Sequence, residues 1–551
     1  MRLNDVAGLR RVGTRAVALV AIGAAAFAIG ACGSESDRPT GAAGASGGDA
    51  PAAKGSDTLV WAKSFDVESL DPARLHEVTG SIVTSVLYDR LMTFVGDEPT
   101  PSPMLAESYE ASRDQRTFTF KLREDAVFSD GTPVTSADVV FSFRRLRNLN
   151  AAPSYLAAGI RAVEAPDRAT VVIEMSEPTP GLPALVASSN FSVLNAKLVK
   201  QNGGDDSKAA VKRDTAQKFL DKTSAGSGQY TLDGYDRRSR ITLAANDDYW
   251  GTAAGFRRII LKNVPTENQL LEVQKGTAQL ALDLSPSQVK NVRGDVRLTT
   301  GPSVTFFFLT ANTDKAVSAT AADSDVQEAI RYGIDYDNLV QLVGDGAVQT
   351  PGILPSTIAG HLPADQAIRR DVERAKAALA RSGIDNPKLE LEYPSDFTLN
   401  GLSFGTIAQR LQSQLREVGL ELELKPGPLA TTLDNWRGGR EQLGLWTQTP
   451  NSPAPYDFLS FCPGGDHAVR VNWDKGADAT LTGACEQAAQ TPLDDTAALD
   501  ENFGAVQTQL NESGPFFPLF QPAQVVASAS WVTNIRFSNS YFVDLAQIGH
   551  E

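Results

Sequence analysis

Between residues 105 and 146 the spacing of apolar and polar positions changes period once, from two to about three and a half. Residues 117–122 put Phe118, Phe120 and Leu122 on one face, the alternation of a half-buried strand. Ser129, Asp130 and Gly131 supply turn chemistry. Thr135-Ser136-Ala137-Asp138 then has the form of a capping box, which predicts a helix just after Thr135. Val139, Phe143 and Leu146 fall on one face of that helix at i, i+4 and i+7. A stretch built of phenylalanine, valine and cap residues reads as scaffold rather than as a site.

The same patterning continues along the chain. Residues 59–62 read as a short strand broken by Ser69-Leu70-Asp71-Pro72, and residues 81–91 as a helix. Short strands are expected at 231–232, 240–243, 257–262 and 280–284, with a helix over 267–276. Residues 303–311 form an apolar, β-rich run suited to a strand crossing into a second lobe, and residues 325–343 are helix-like. Residues 371–382 predict a helix with Gly383 as its left-handed terminator. Residues 389–393, the apolar stripe Ile407, Leu411 and Leu415, and the alternation Leu420, Leu422 and Leu424 make a β-α-β unit, so a parallel strand pair is expected. Alternating strands and helices over about 495 residues argue for α/β lobes, mixed sheets flanked by helices, rather than one core.

The N-terminus follows another pattern. Arg2, Arg10, Arg11 and Arg15 precede an uncharged apolar run to Ala31, the layout of a secretory signal, and Ile29-Gly30-Ala31-Cys32 resembles a bacterial lipobox. That resemblance implies lipidation at Cys32; an uncleaved anchor, or a plain signal peptide with a chance cysteine, is the alternative. Residues 32–56 are rich in Gly, Ala, Ser, Pro and Asp and read as a flexible tether. Four arginines against one aspartate in residues 1–31 leave the remainder more acidic than the whole chain's −15. An acidic chain is a poor partner for nucleic acid. With Cys32 taken by lipid, Cys462 and Cys485 are left, and an oxidising compartment favours a disulfide between them over two free thiols, contributing on the order of 3 kcal/mol.

The 105–146 stretch closely resembles the signature region of the family 5 solute-binding proteins, extracytoplasmic receptors of peptide- and nickel-type ABC importers. Ser224-Ala225-Gly226-Ser227-Gly228-Gln229-Tyr230 with Asn246-Asp247-Asp248-Tyr249-Trp250-Gly251 resembles that family's GTGPY…NPDYWG pair. Residues 325–343 resemble its VRQALNYAID segment, and residues 514–522 the return to the first lobe. The resemblance implies a two-lobed periplasmic-binding-protein-like fold with an extra subdomain and a cleft between the lobes. Its divisions here are a signal peptide at 1–31, the tether, lobe I at 57–95, 218–299 and 523–551, the extra subdomain at 96–217, and lobe II at 300–522.

By position the resemblance brings His76, Val78, Phe307, Tyr155, Trp446, Thr447 and Thr449 to the ligand. Peptide binders of this family hold the amino terminus with an aspartate three residues after a tryptophan. Here Trp446 and Tyr456-Asp457-Phe458-Leu459 match, but Thr449 occupies the aspartate position. A blocked peptide, a sugar conjugate, or a peptide held by another acid such as Asp457 is then expected, unless a longer loop shifts the alignment. The implied partners are a small peptide or other polar solute, an ABC permease with its ATPase subunits, and the membrane through the N-terminal lipid. The receptor is expected to be a monomer without a cofactor. A sensor of peptide signals without import, or a receptor for a metal or haem chelate, is the other reading.

Gly401-Leu402-Ser403-Phe404-Gly405 matches the Gly-x-Ser-x-Gly string of a hydrolase nucleophile, with His467 and His550 as possible bases. That motif needs a strand running straight into a tight turn, and residues 394–400 intervene. No P-loop string occurs, and His76, His361, His467 and His550 are too scattered to suggest a metal site. Binding, not catalysis, is the expected chemistry.

Overall fold

The computed structural model describes residues 56–551 except His76, Asn400, Gly401 and Asn451, together with the backbone alone of Pro286 and Ser287. The signal segment, Cys32 and nearly all of the tether lie outside the described residues, as does His76. Two large mixed sheets, each flanked by helices, form two lobes, and a third sheet forms a smaller layer.

The first sheet has seven strands in the order Val296–Pro302, Ala523–Ala529, Leu280–Ala281, Thr58–Lys63, Arg258–Asn263, Arg240–Ala245, Tyr230–Asp236. Thr58–Lys63 runs parallel to both neighbours, so their carboxyl ends lie together. Helix Val78–Leu87 covers one face and helix Thr266–Gln274 the other. The second sheet runs Val348–Gln349, Phe516–Gln521, Phe306–Ala311, Leu443–Gln448, Lys388–Pro394, Glu421–Gly427. Lys388–Pro394 is parallel to both neighbours, which bears out the expected β-α-β unit across helix Phe404–Val418. Four antiparallel strands, Ala106–Ala111, Thr117–Leu122, Thr170–Met175 and Ile160–Asp167, make the third sheet. The chain crosses from the first sheet to the second between Pro302 and Phe306 and returns between Gln521 and Ala523.

Local rules explain most element ends. Thr135 and Asp138 form the capping box of helix Ser136–Asn148, and Gly383 and Gly419 end their helices at φ 64° and 101°, where a side chain would be strained. Two expectations shift. The helix expected over 81–91 spans Val78–Leu87, because Glu77 caps it by accepting from the Thr79 and Gly80 amides. The single helix expected over 325–343 is two, Ser324–Gly333 and Tyr336–Val343. Asp335 stands between them and caps the second through Asn338 N at 3.0 Å.

Two of the sequence motifs prove to be fastenings. Asp71 of the Ser-Leu-Asp-Pro stretch takes both terminal nitrogens of Arg145, at 2.7 and 2.6 Å, while Asp214 takes Nε at 2.7 Å. Arg145 and both carboxylates have no exposed side-chain surface, so the network joins the third-sheet region to the first lobe in a site without water. The other motif closes on Asp89. Ser227 Oγ, Trp250 Nε1 and Tyr249 OH donate to its carboxylate at 2.9, 2.9 and 3.2 Å. Gly226 and Gly228 lie so close to the Leu87 backbone that any side chain there would overlap it. Burial nevertheless raises Asp89 to about 6, against the lowering effect of Arg90 and these donors.

A disulfide joins Cys462 to Cys485, with Cα atoms 6.3 Å apart. Among the described residues no helix is long and apolar enough to cross a membrane.

Candidate binding site between the lobes

The carboxyl ends of Thr58–Lys63 and Leu280–Ala281 open onto a cavity of about 210 Å³. Such strand ends are where open α/β sheets hold ligands, because the connecting loops part there. Val78 and Ile82 of helix Val78–Leu87 form one wall, and Phe537 and Phe542, from the small C-terminal strand pair Phe537–Ser538 and Phe542–Val543, form another. Ala523, Gln524, Val525 and Val526 of the returning strand floor it. Leu399, in the hairpin strand Thr398–Leu399 of the second lobe, closes it from the opposite side.

Among the described residues, this largely apolar lining holds one cation and one anion. Lys63 Nζ donates to Asp283 Oδ1 at 2.6 Å; the lysine side chain is 11% exposed and the aspartate 29%. Asp283 Oδ2 accepts from Ser64 N at 3.3 Å and Gln269 Nε2 at 3.1 Å, and Asp283 N donates to Gln269 Oε1 at 3.2 Å. The carboxylate is therefore fixed from three sides and faces the cavity on the fourth. A neutral pair inside an apolar pocket favours a ligand that carries balanced charges or none.

Strand Leu443–Gln448 ends at the crossing, where Phe306 faces Gln448. Thr449 Oγ1 lies 2.7 Å from Thr305 Oγ1, and Thr447 pairs with Phe307 across the sheet. Trp446 is buried: its ring stacks on Trp436 at 4.6 Å and 15°, and its Nε1 donates to Glu441 Oε2 at 2.9 Å. Gly444 is required there, since a Cβ would fall on that indole–carboxyl bond. Burial, with Glu392 nearby, raises Glu441 to about 9, so its carboxyl is neutral at pH 7 despite the lowering effect of the Trp446 bond.

Of the residues expected at the ligand, Val78 lines the cavity, while Trp446, Thr447 and Thr449, in and just after strand Leu443–Gln448, are not part of its lining. Phe307 is corrected. Its ring is wholly buried between Phe404 and Phe520 in the core of the second lobe, and Phe306 and Phe308 are equally buried on the other face. Both faces of this sheet are covered by helices, so no parity of the run reaches the cleft. Tyr155 is half-exposed in the 3-10 turn Ala152–Ala157, away from the cavity lining. Burial and, secondarily, Asp457 raise its hydroxyl. Asp457 accepts from Ser452 N at 3.2 Å and likewise stays outside the cavity lining.

Ser403 takes the N-cap position of helix Phe404–Val418 in ordinary extended backbone, φ −85° and ψ 133°, instead of standing on a strained elbow. His467 lies flat on Phe461 at 4.4 Å, and burial lowers it to about 3, while His550 packs on Phe256 at 4.9 Å. Gly401 lies outside the described residues. Lys63 and Asp283 escaped the sequence reading, although each is the first charged residue after an apolar strand, which is the signal that finds them.

The model of the bacterial extracellular solute-binding proteins, family 5 (its middle region) matches residues 100–468. The chain belongs to that family. Family 5 members are extracytoplasmic substrate-binding proteins of the kind that serve ABC importers, and the chain is accordingly a receptor and not an enzyme. It is 29% identical over 421 residues to the probable D,D-dipeptide-binding periplasmic protein of Escherichia coli K12, covering 75% of this chain and 78% of that one. It is 25% identical over 533 residues to di/tripeptide-binding protein 2 of Pseudomonas aeruginosa UCBPP-PA14, covering 89% and 94%. Among solved structures, HbpA2 from Haemophilus parasuis superposes with a TM-score of 0.78 at 20% identity, over 90% of this chain and all of that one. The family 5 fold thus extends through both lobes.

Proposed function

We propose that the chain captures a short peptide between its lobes and delivers it to an ABC permease powered by separate ATPase subunits. The observation that carries this reading is the cavity at the strand ends of the first lobe, closed from the second lobe by Leu399. Its volume of about 210 Å³ is below the roughly 300–1,000 Å³ of drug-sized ligand sites, which suits two or three small residues. The D,D-dipeptide-binding and di/tripeptide-binding names of the two relatives support the same size and class. Closure buries the solute, and the closed form is the one a permease distinguishes from the empty one.

In this reading Val78, Lys63 and Asp283 contact the ligand and Trp446, Thr447 and Thr449 border it. Residues 57–95, 218–299 and 523–551 form lobe I, 96–217 its extra subdomain and 300–522 lobe II, in a monomer. Residues 1–31 direct export and Cys32 carries the lipid that holds the receptor at the outer face of the membrane. Mass spectrometry of small molecules released from the purified protein tests the reading: short peptides are expected, and a dominant sugar or metal chelate overturns it. Deletion of the gene is expected to abolish uptake of those peptides; intact uptake with a lost peptide response would make the protein a sensor.

A further inference from the structure

The sequence places threonine where peptide binders of this family place the aspartate that holds the ligand's amino terminus, so a peptide receptor built this way needs another acid. Three carboxyl groups invite comparison. Glu441 is 3% exposed and is engaged with the Trp446 indole. Asp457 accepts from Ser452 N and lies outside the cavity lining. Asp283 is the acid that lines the cavity.

We propose that Asp283, on the first lobe, receives the amino terminus of the ligand, and that Lys63 beside it donates to the carbonyl of the ligand's first residue. The inference rests on the peptide reading above and assigns its specificity. A carboxylate offers about four acceptor positions. Asp283 uses one on Oδ1, for Lys63, and two on Oδ2, for Ser64 N and Gln269 Nε2, which leaves a position on Oδ1 for an ammonium. Lys63 Nζ has three N–H groups and spends one on Asp283.

The spacing fits the ligand chemistry. In any peptide the α-nitrogen and the carbonyl oxygen of the same residue are three bonds apart, about 3 Å. That matches the 2.6 Å between Lys63 Nζ and Asp283 Oδ1. A free amino-terminal residue can thus bridge the pair, ammonium on Asp283 and carbonyl on Lys63, and convert one ion pair into a four-membered ring of alternating charge and dipole. The apolar walls, Val78, Leu399, Phe537 and Phe542, are left for its side chains. An N-acylated peptide has no ammonium to offer and leaves the fixed carboxylate without a partner on its open side.

Calorimetric titration of the purified protein with a pool of aliphatic di- and tripeptides, and with the same pool N-acetylated, tests this. The free peptides are expected to bind at least about tenfold more tightly than the acetylated ones. Asp283→Asn keeps the shape of the side chain and one oxygen, able to accept from Lys63, while removing the negative charge; it is expected to lose at least about tenfold for free peptides with little change for acetylated ones. Equal binding of both pools to the wild type overturns the inference, whatever the variant does. So does an Asp283→Asn protein that retains free-peptide affinity, or one that loses both pools alike. In those cases the peptide reading stands; in this experiment it falls if neither pool binds the wild type.

Discussion

Glu441 is a carboxyl group that the fold keeps from ionising at neutral pH. Its folded pKa of about 9 lies above the ordinary 4.5, so the native state holds its proton more tightly than the unfolded chain does. Stability should therefore fall as pH rises from about 4.5 through about 9, and nowhere in that window should this group add to it. Glu441→Gln keeps an acceptor for the Trp446 indole and removes the titration. Urea midpoints measured near pH 5 and near pH 9 are expected to fall less for the variant than for the wild type. At this scale the sequence was legible where one residue's chemistry is local, as for Thr135 with Asp138 or for Gly383. It was silent on Lys63 and Asp283, which meet across 220 positions and each look like the solvated end of a strand. Phe307 misled for a related reason: alternation tells which residues share a face, but not that both faces of the sheet are covered.

At the scale of elements, helix Ser136–Asn148 is held by its last turn as much as by its apolar face. Arg145 lies there, and Arg145→Met would leave Asp71 and Asp214 buried with their main partner gone. A loss of about 3–5 kcal/mol is expected, read from denaturant unfolding. The disulfide acts on other elements, tying the 3-10 segment Pro455–Phe461 through Cys462 to helix Ala479–Ala488. Replacing both cysteines by alanine should cost on the order of 3 kcal/mol, and reductant should reproduce the loss in the wild type. Element type followed from period and caps, and the parallel pair Lys388–Pro394 with Glu421–Gly427 followed from the β-α-β pattern. Boundaries failed where a cap was unusual, as with Glu77, or where one apolar stripe ran through a break, as at Asp335.

For the whole molecule, the chain passes between the two large sheets at residues 302–306 and 521–523, where a hinge between the lobes is expected. A bound peptide that touches both sides of the cavity should draw them together. Small-angle scattering is expected to show a smaller radius of gyration on peptide addition, and Tm should rise with ligand concentration as mass action requires. An unchanged radius at saturation would mean that this structure already has the closed arrangement. The lobes, the extra sheet and the cleft were legible as a resemblance, because short motifs such as Asn246 to Gly251 carry the fold's fastenings. The ligand's contacts were not, since they depend on which loop ends the fold brings opposite each other.

The path of the chain through the first sheet bears on how the protein is made. Ala523–Ala529 lies between Val296–Pro302 and Leu280–Ala281, so that sheet lacks a middle strand until almost the last residues have left the ribosome. The second sheet draws all its strands from residues 306–521, and its inner strand Phe516–Gln521 precedes Ala523–Ala529 directly. The lobe translated first is thus finished last, its sheet waiting for an inner strand that follows the whole of the second lobe. A chain cut after Gln521 should show a protease-resistant second lobe beside a digestible first one.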